Sequence, residues 1–105
     1  MITVLISFKL APGTTRADAL KIYRHSAKKW ANNADLIEKF YYFDEPTLLG
    51  GGVYIWKSIE AARRWHGSDY VAMVESVYGN APRIQMLDTL IHIESTTMRI
   101  VEFED

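Results

Sequence analysis

Three histidines could exchange protons with a ligand, and six tyrosines with three tryptophans supply rings that could hold one. His25 falls in the middle of a helical stretch, Tyr23-Arg24-His25-Ser26. Facing a sheet, it could take a proton from a phenol, since an unperturbed imidazole has a pKa of ~6.5. Facing water, it does nothing. His66 sits just before Gly67 at a helix end, where a cation stabilises the exposed carbonyls. His92 shares a strand parity with Asp88, which suits a structural polar pair. No two histidines have HxH or HxxxH spacing and the chain has no cysteine, so no local metal motif exists. Gly50-Gly51-Gly52 precedes a strand and lacks a following Lys-Ser/Thr, so it is not a phosphate loop. No nucleophile-elbow serine is present. Tyr41, Tyr42, Tyr54, Tyr70 and Tyr78 could orient an aromatic ligand through their hydroxyls, or simply pack.

The elements that must place these side chains follow from the hydrophobic pattern. Ile2, Val4, Ile6 and Phe8 alternate with Thr3, Leu5 and Ser7 and predict a first strand. Ala11-Pro12-Gly13 ends it. Thr15 with Asp18 has capping-box spacing, and a helix follows from about Arg16 to Trp30. Its inner face is Ala19, Ile22, Tyr23, Ser26, Ala27 and Trp30. Leu36 to Phe43 forms a second strand. Gly50–Gly52 is a flexible lead-in to a third, Val53-Tyr54-Ile55-Trp56, rich in β-branched and aromatic residues. The short connection makes these two strands an antiparallel pair. Ser58 caps a helix whose face carries Ile59, Ala62, Trp65 and His66. Ser68-Asp69 caps a second short helix, which ends near Val77 with Gly79 as its C-cap signal. Ile84 to Ile93 alternates as a fourth strand, and Met98 to Phe103 is a fifth short strand or an arm.

Composition narrows the class. One domain spans residues 1–105, with 96–105 its terminal strand or arm. Apolar residues make up 49% of the chain, which excludes disorder by composition. A net charge of −1 offers no electrostatic case for nucleic acid or an anionic membrane. No apolar run approaches the ~20 residues of a membrane span. The N-terminal MITVLISFKL lacks a basic region and a cleavage site and reads as a strand, so the expected location is the cytoplasm.

The order β-α-β-β-α-β is that of an α+β, ferredoxin-like domain with a four-stranded antiparallel sheet. Two helices cover one face of such a sheet. Both parities of the second and third strands are apolar, so the open face is expected to bury itself against a second sheet, most simply in a homodimer. The Met98–Phe103 segment is a candidate for crossing to the partner.

The block DLIEKFYYFDE…LLGGGVYIWKSIEAA, from Leu36 to Asp69 with its flanks, resembles the dimeric α+β-barrel superfamily, in particular the YdhR-like and antibiotic-biosynthesis-type monooxygenases. The resemblance implies a cofactor-independent monooxygenase acting on a small, apolar, aromatic or quinol-type molecule held between sheet and helices. Trp56-Lys57-Ser58, Trp65 and Ser68-Asp69 are similar to the same segment in haem-degrading members, where the tryptophan matching Trp65 lines the haem pocket. The haem-ligating histidine of those members falls on Glu75 and their catalytic asparagine near Ser7, so the proximal imidazole is missing. The expected site is therefore Tyr23, Tyr41, Tyr54, Trp56 and Trp65 around the substrate, His25 as the base, and no metal or cofactor. Trp65 fits a pocket wall or a core anchor, Trp56 at the strand end fits the core better, and either parity of each strand could face the cavity. Two other readings share the scaffold. One is a dimeric domain that only binds a hydrophobic ligand or partner. The other is an isomerase or lyase on a small lactone or carbonyl compound, using a buried His25 or Asp88.

Overall fold

The computed structural model describes residues 1–104. Asp105, the last residue of the expected terminal arm, lies outside the described residues. The chain runs β1 (Ile2–Lys9), α1 (Arg16–Ala31), β2 (Leu36–Asp44), β3 (Leu49–Trp56), α2 (Ile59–Trp65), α3 (Ser68–Tyr78), β4 (Arg83–Asp88), β5 (Ile91–Glu94) and β6 (Arg99–Glu102). β1 to β4 form an antiparallel sheet in the order β2-β3-β1-β4. This α+β arrangement, a four-stranded antiparallel sheet with three helices, is compatible with the ferredoxin-like fold.

The helix starts follow their local chemistry. The Thr15 side chain accepts from the Asp18 backbone, and the Asp18 carboxylate accepts from the Thr15 N–H at 3.0 Å, closing the capping box. Ser58 accepts from the Ala61 N–H at 3.1 Å. α3 departs from expectation: its N-cap is Gly67, with no side-chain cap bond, and Ser68 and Asp69 lie within the first turn. Gly79 closes α3 in the left-handed conformation at φ 83, which glycine adopts without a Cβ penalty.

One face of the sheet carries the core. Val4, Ile6 and Phe8 of β1, Tyr54 and Trp56 of β3, and Ala19, Tyr23 and Trp30 of α1 are buried together with Ala61, Ala62, Tyr70 and Val74. On β2 the parity facing the helices is Lys39, Tyr41 and Phe43, because Tyr41 stands opposite Gly52 and Lys39 opposite Tyr54. The other parity faces outward, with Phe40 60% exposed.

Two expectations are corrected along the strands. Gly50, Gly51 and Gly52 are not a lead-in but part of β3, paired on both sides with β1 and β2. The fourth strand stops at Asp88, because its partner β1 ends at Ile2 and offers no further ladder. A bond from the Thr89 N–H to the Met1 carbonyl at 3.1 Å turns the chain away, and Ile91–Glu94 pairs with Arg99–Glu102 as a separate hairpin. The hairpin lies beside the outer face, where Ile91, Val101 and Phe103 share a groove with Thr3, Ile37 and Ile55. Among the described residues no helix is long and apolar enough to cross a membrane.

Candidate functional site

A cavity of about 320 Å³ lies between the helix-facing side of β2–β3 and helices α1 and α3. Its walls are mainly aromatic: Trp30 from α1, Tyr41 from β2, Tyr54 from β3, and Tyr70 and Tyr78 from α3. Its floor is the backbone of Gly51 and Gly52. The absence of a side chain on Gly52 leaves space beside the sheet, next to Tyr54 and Lys39. A Cβ on Gly51 would overlap the Ile6 carbonyl, and one on Gly52 would sit 3.1 Å from the Tyr54 ring and 3.3 Å from Lys39 Cε. Gly51 also has φ 151, in the region that favours glycine.

Hydrogen bonds fix the tyrosines. Tyr54 and Tyr70 share a buried hydroxyl–hydroxyl bond of 3.1 Å. Tyr41 bonds through its hydroxyl to Ser26 Oγ at 2.5 Å and stacks on Tyr23, ring centroids 4.6 Å apart. Tyr23 donates to the Tyr42 carbonyl at 3.0 Å and accepts from the Gly51 N–H at 3.3 Å, tying α1 to the sheet. Burial pushes the Tyr54 hydroxyl well above the ordinary phenol range and the Tyr70 hydroxyl up to about 12. Neither ionises near neutrality.

The one charged side chain of β2 on the inner face is Lys39. Its Nζ stands 3.7 Å from the centroid of Tyr41, 4.3 Å from Tyr54 and 4.5 Å from Trp30. Ring faces attract a cation, but they do not replace the water an ammonium loses. Burial, with Lys29 nearby adding like-charge repulsion, brings the Lys39 amine down to about 6. Near neutral pH it is therefore largely an uncharged amine, with a free lone pair beside an apolar cavity.

The structure brings together some of the sequence-predicted residues and separates others. Tyr41 and Tyr54 line the cavity, and His25 lines it as an exposed residue. Tyr23 stands behind Tyr41 and lines a second groove instead. Trp56 is fully buried in the core. Trp65 stacks on Trp56 with centroids 6.4 Å apart and donates to Asp35 at 3.2 Å, outside the cavity lining. His92 is exposed on the hairpin, away from the cavity.

His66 reverses its expected role. It is 4% exposed, and its Nε2 accepts a hydrogen bond from the Trp56 indole at 3.0 Å. It is a neutral core group and not a cation at a helix end: burial, then the nearby Lys39 charge, lowers its pKa to about 4. The helix turns there into α3, which closes over the imidazole with Tyr70, ring centroids 4.5 Å apart.

Sequence reasoning did not single out Lys39 or Trp30, and left Tyr70 and Tyr78 as residues that could orient a ligand or simply pack. The signal for Lys39 was available: it alternates with Tyr41 and Phe43, and a glycine run on the paired strand makes a hollow opposite that parity. Among the described residues, no three His, Cys, Asp or Glu side chains cluster as a metal site would need. No family model matches this chain, and no curated protein matches it.

Proposed function

We propose that this chain is a cofactor-independent monooxygenase acting on a small aromatic or quinol-type molecule held in the cavity between β2–β3 and α1–α3. The observation that carries the reading is the aromatic enclosure itself. At about 320 Å³ it falls near the low end of small-molecule sites, ~300–1,000 Å³, which suits one or two fused rings. Its walls present ring faces and edges from five elements, and polar groups reach it at only a few points. Such a lining selects flat, apolar molecules and excludes water from them.

In this chemistry the substrate is its own reductant. The activated CH₂ of a deprotonated anthrone-like ring gives electrons to dioxygen. One oxygen atom becomes the new carbonyl and the other leaves as water with the two hydrogens. The protein's part is to hold the ring, keep the site dry and stabilise the substrate anion. Consumption of dioxygen in equal amount to an anthrone-like substrate, with a quinone product, would support the reading. Saturable binding without oxygen uptake would leave the alternative, a domain that only binds a hydrophobic ligand.

The proposal includes a homodimer through the outer sheet face. Phe40, Ile93 and Ile100 are 60%, 62% and 68% exposed on that face and its neighbouring hairpin. Large apolar side chains left exposed on a sheet face suit an interface with a second copy. A two-stranded hairpin is also marginal alone in water, and a partner sheet would bury the apolar side of β5–β6.

A further inference from the structure

We propose that Lys39 is the proton acceptor of the cavity, so that the site takes ligands bearing an acidic ring hydroxyl, namely phenols and enols, and holds them as their anions. The inference rests on the cavity reading above and adds to it the identity of the base and the ionisable group the ligand must carry.

Lys39 Nζ has three ring centroids within 4.5 Å. Among the described residues it has no hydrogen-bond acceptor and no carboxylate within ion-pairing distance. Lys39 is half-buried, and an amine withdrawn this far from water is ordinarily paired. Here the unpaired nitrogen borders the cavity, so the missing partner is whatever the cavity holds.

The surrounding groups decide what that partner is. Facing the amine are Lys29 and His25 of α1, Tyr41 of β2, Tyr54 of β3, Tyr70 and Tyr78 of α3, and His66 at the end of α2. None is a carboxylate, and Glu38, which shares a second groove with Lys39, makes no ion pair with it. The tyrosines facing it whose pKa values shift are all raised by burial, so they remain neutral. A free ammonium here would meet only neutral or cationic neighbours. An uncharged amine that accepts a proton from a ligand hydroxyl becomes an ammonium with its counter-anion already in place. The O–H bond breaks, the N–H bond forms, and the pair is neutral overall. The three ring faces then stabilise the new cation. His25 lines the same cavity but is exposed to solvent, whereas the Lys39 amine lies against three rings.

The test uses 7-hydroxycoumarin, a planar two-ring phenol whose ionised form absorbs at longer wavelength. Bound to the wild-type chain near neutral pH, it is expected in its ionised form, with its apparent pKa lowered by about one unit or more, a tenfold shift. Lys39→Met removes the proton acceptor held among the rings and leaves only the exposed His25, so the bound phenol should be neutral and its apparent pKa raised. Lys39→Arg separates a base from a mere counter-ion, because arginine keeps its proton. It should also bind the anion, but calorimetry in buffers of different ionisation enthalpy should show a proton released to solvent. The wild type should release almost none. A neutral phenol on the wild type, an ionised phenol on Lys39→Met, equal proton release from the wild type and Lys39→Arg, or no binding to the wild type would each overturn the assignment. Its fate is separable from that of the oxygenase reading. Ionisation by Lys39 with no oxygen uptake on any quinol removes the reaction and leaves the base. Oxygen uptake undiminished in Lys39→Met removes the base and leaves the reaction.

Discussion

The indole N–H of Trp56 donates to Nε2 of His66 at 3.0 Å in the buried layer between sheet and helices. The bond determines the tautomer. Nε2 is the acceptor, so the ring proton is on Nδ1, which has no hydrogen-bond partner among the described residues. The ring lies edge to face with Tyr54 and Tyr70, each 4.5 Å away between centroids. A neutral imidazole satisfies this arrangement; an imidazolium would put a second N–H against Trp56's own donor.

Acid should therefore unfold the protein through His66. Its folded pKa of about 4 lies below the unfolded value of ~6.5. The unfolded chain thus binds the proton more readily between these values, and stability falls as the pH drops from about 6.5 to about 4. The loss attributable to this group is at most about 3 kcal/mol. Urea unfolding across that range should show the slope, and His66→Gln should flatten it at some cost in stability at neutral pH. An unchanged slope in the variant would refute the assignment.

Lys39 acts in the same direction at higher pH. Its folded value of about 6 lies below the unfolded ~10.4. The unfolded chain again holds the extra proton, so stability should rise with pH from about 6 towards 10. Lys39→Met should remove this rise and be at least as stable as the wild type near neutrality. The comparison of unfolding midpoints of the two proteins at each end of the range is the measurement.

Gly52→Ala should reduce the cavity more than it disturbs the strand. The added methyl meets Tyr54 at 3.1 Å, the Phe40 carbonyl at 3.2 Å and Lys39 Cε at 3.3 Å. Overpacking of this order costs about 1–3 kcal/mol, and 7-hydroxycoumarin affinity should fall at the same time. Gly51→Ala combines a clash with the Ile6 carbonyl and φ 151, and should cost more. Thermal unfolding of the two variants gives the order.

Capping should be measurable apart from the site. Thr15→Ala breaks the reciprocal bonds with Asp18 and should cost about 1 kcal/mol, with ligand binding unchanged. A loss of binding in this variant would show that the entry of α1 reports directly on the cavity.

The dimer proposal is open to a charge at its centre. Phe40→Glu should leave the circular dichroism of the wild type intact and shift sedimentation from dimer to monomer at micromolar concentration. A monomeric wild type would remove the proposal.

The elements with a strong local period were legible in the residues: β1 from its alternation, α1 from its capping box, and the α3 end from Gly79. What the sequence concealed was set by partners in space. The end of β4 depends on where β1 runs out, and no property of Asp88 to Ile93 announces it. Gly50–Gly52 suggests a loop by composition, yet two flanking strands hold it extended. His66 has the local setting of a helix-capping cation, and only the placement of Trp56, Tyr54 and Tyr70 makes it a core group. Of the candidate site, Tyr41 and Tyr54 were foreseen as lining residues. Lys39 was obscured because charged residues on strands are usually exposed, and its inward parity follows from the register with β3.

The glycine floor has an evolutionary corollary. A ligand resting on Gly51 and Gly52 touches main chain, and main chain offers no variety on which selection could act. The walls are different. Met73 and Val77 on α3 and Ile22 on α1 line the same space from helices, where side chains can be exchanged for others of similar size at modest cost. Divergent copies of this protein should therefore keep the three glycines while their helix residues drift, each combination admitting a differently shaped ring.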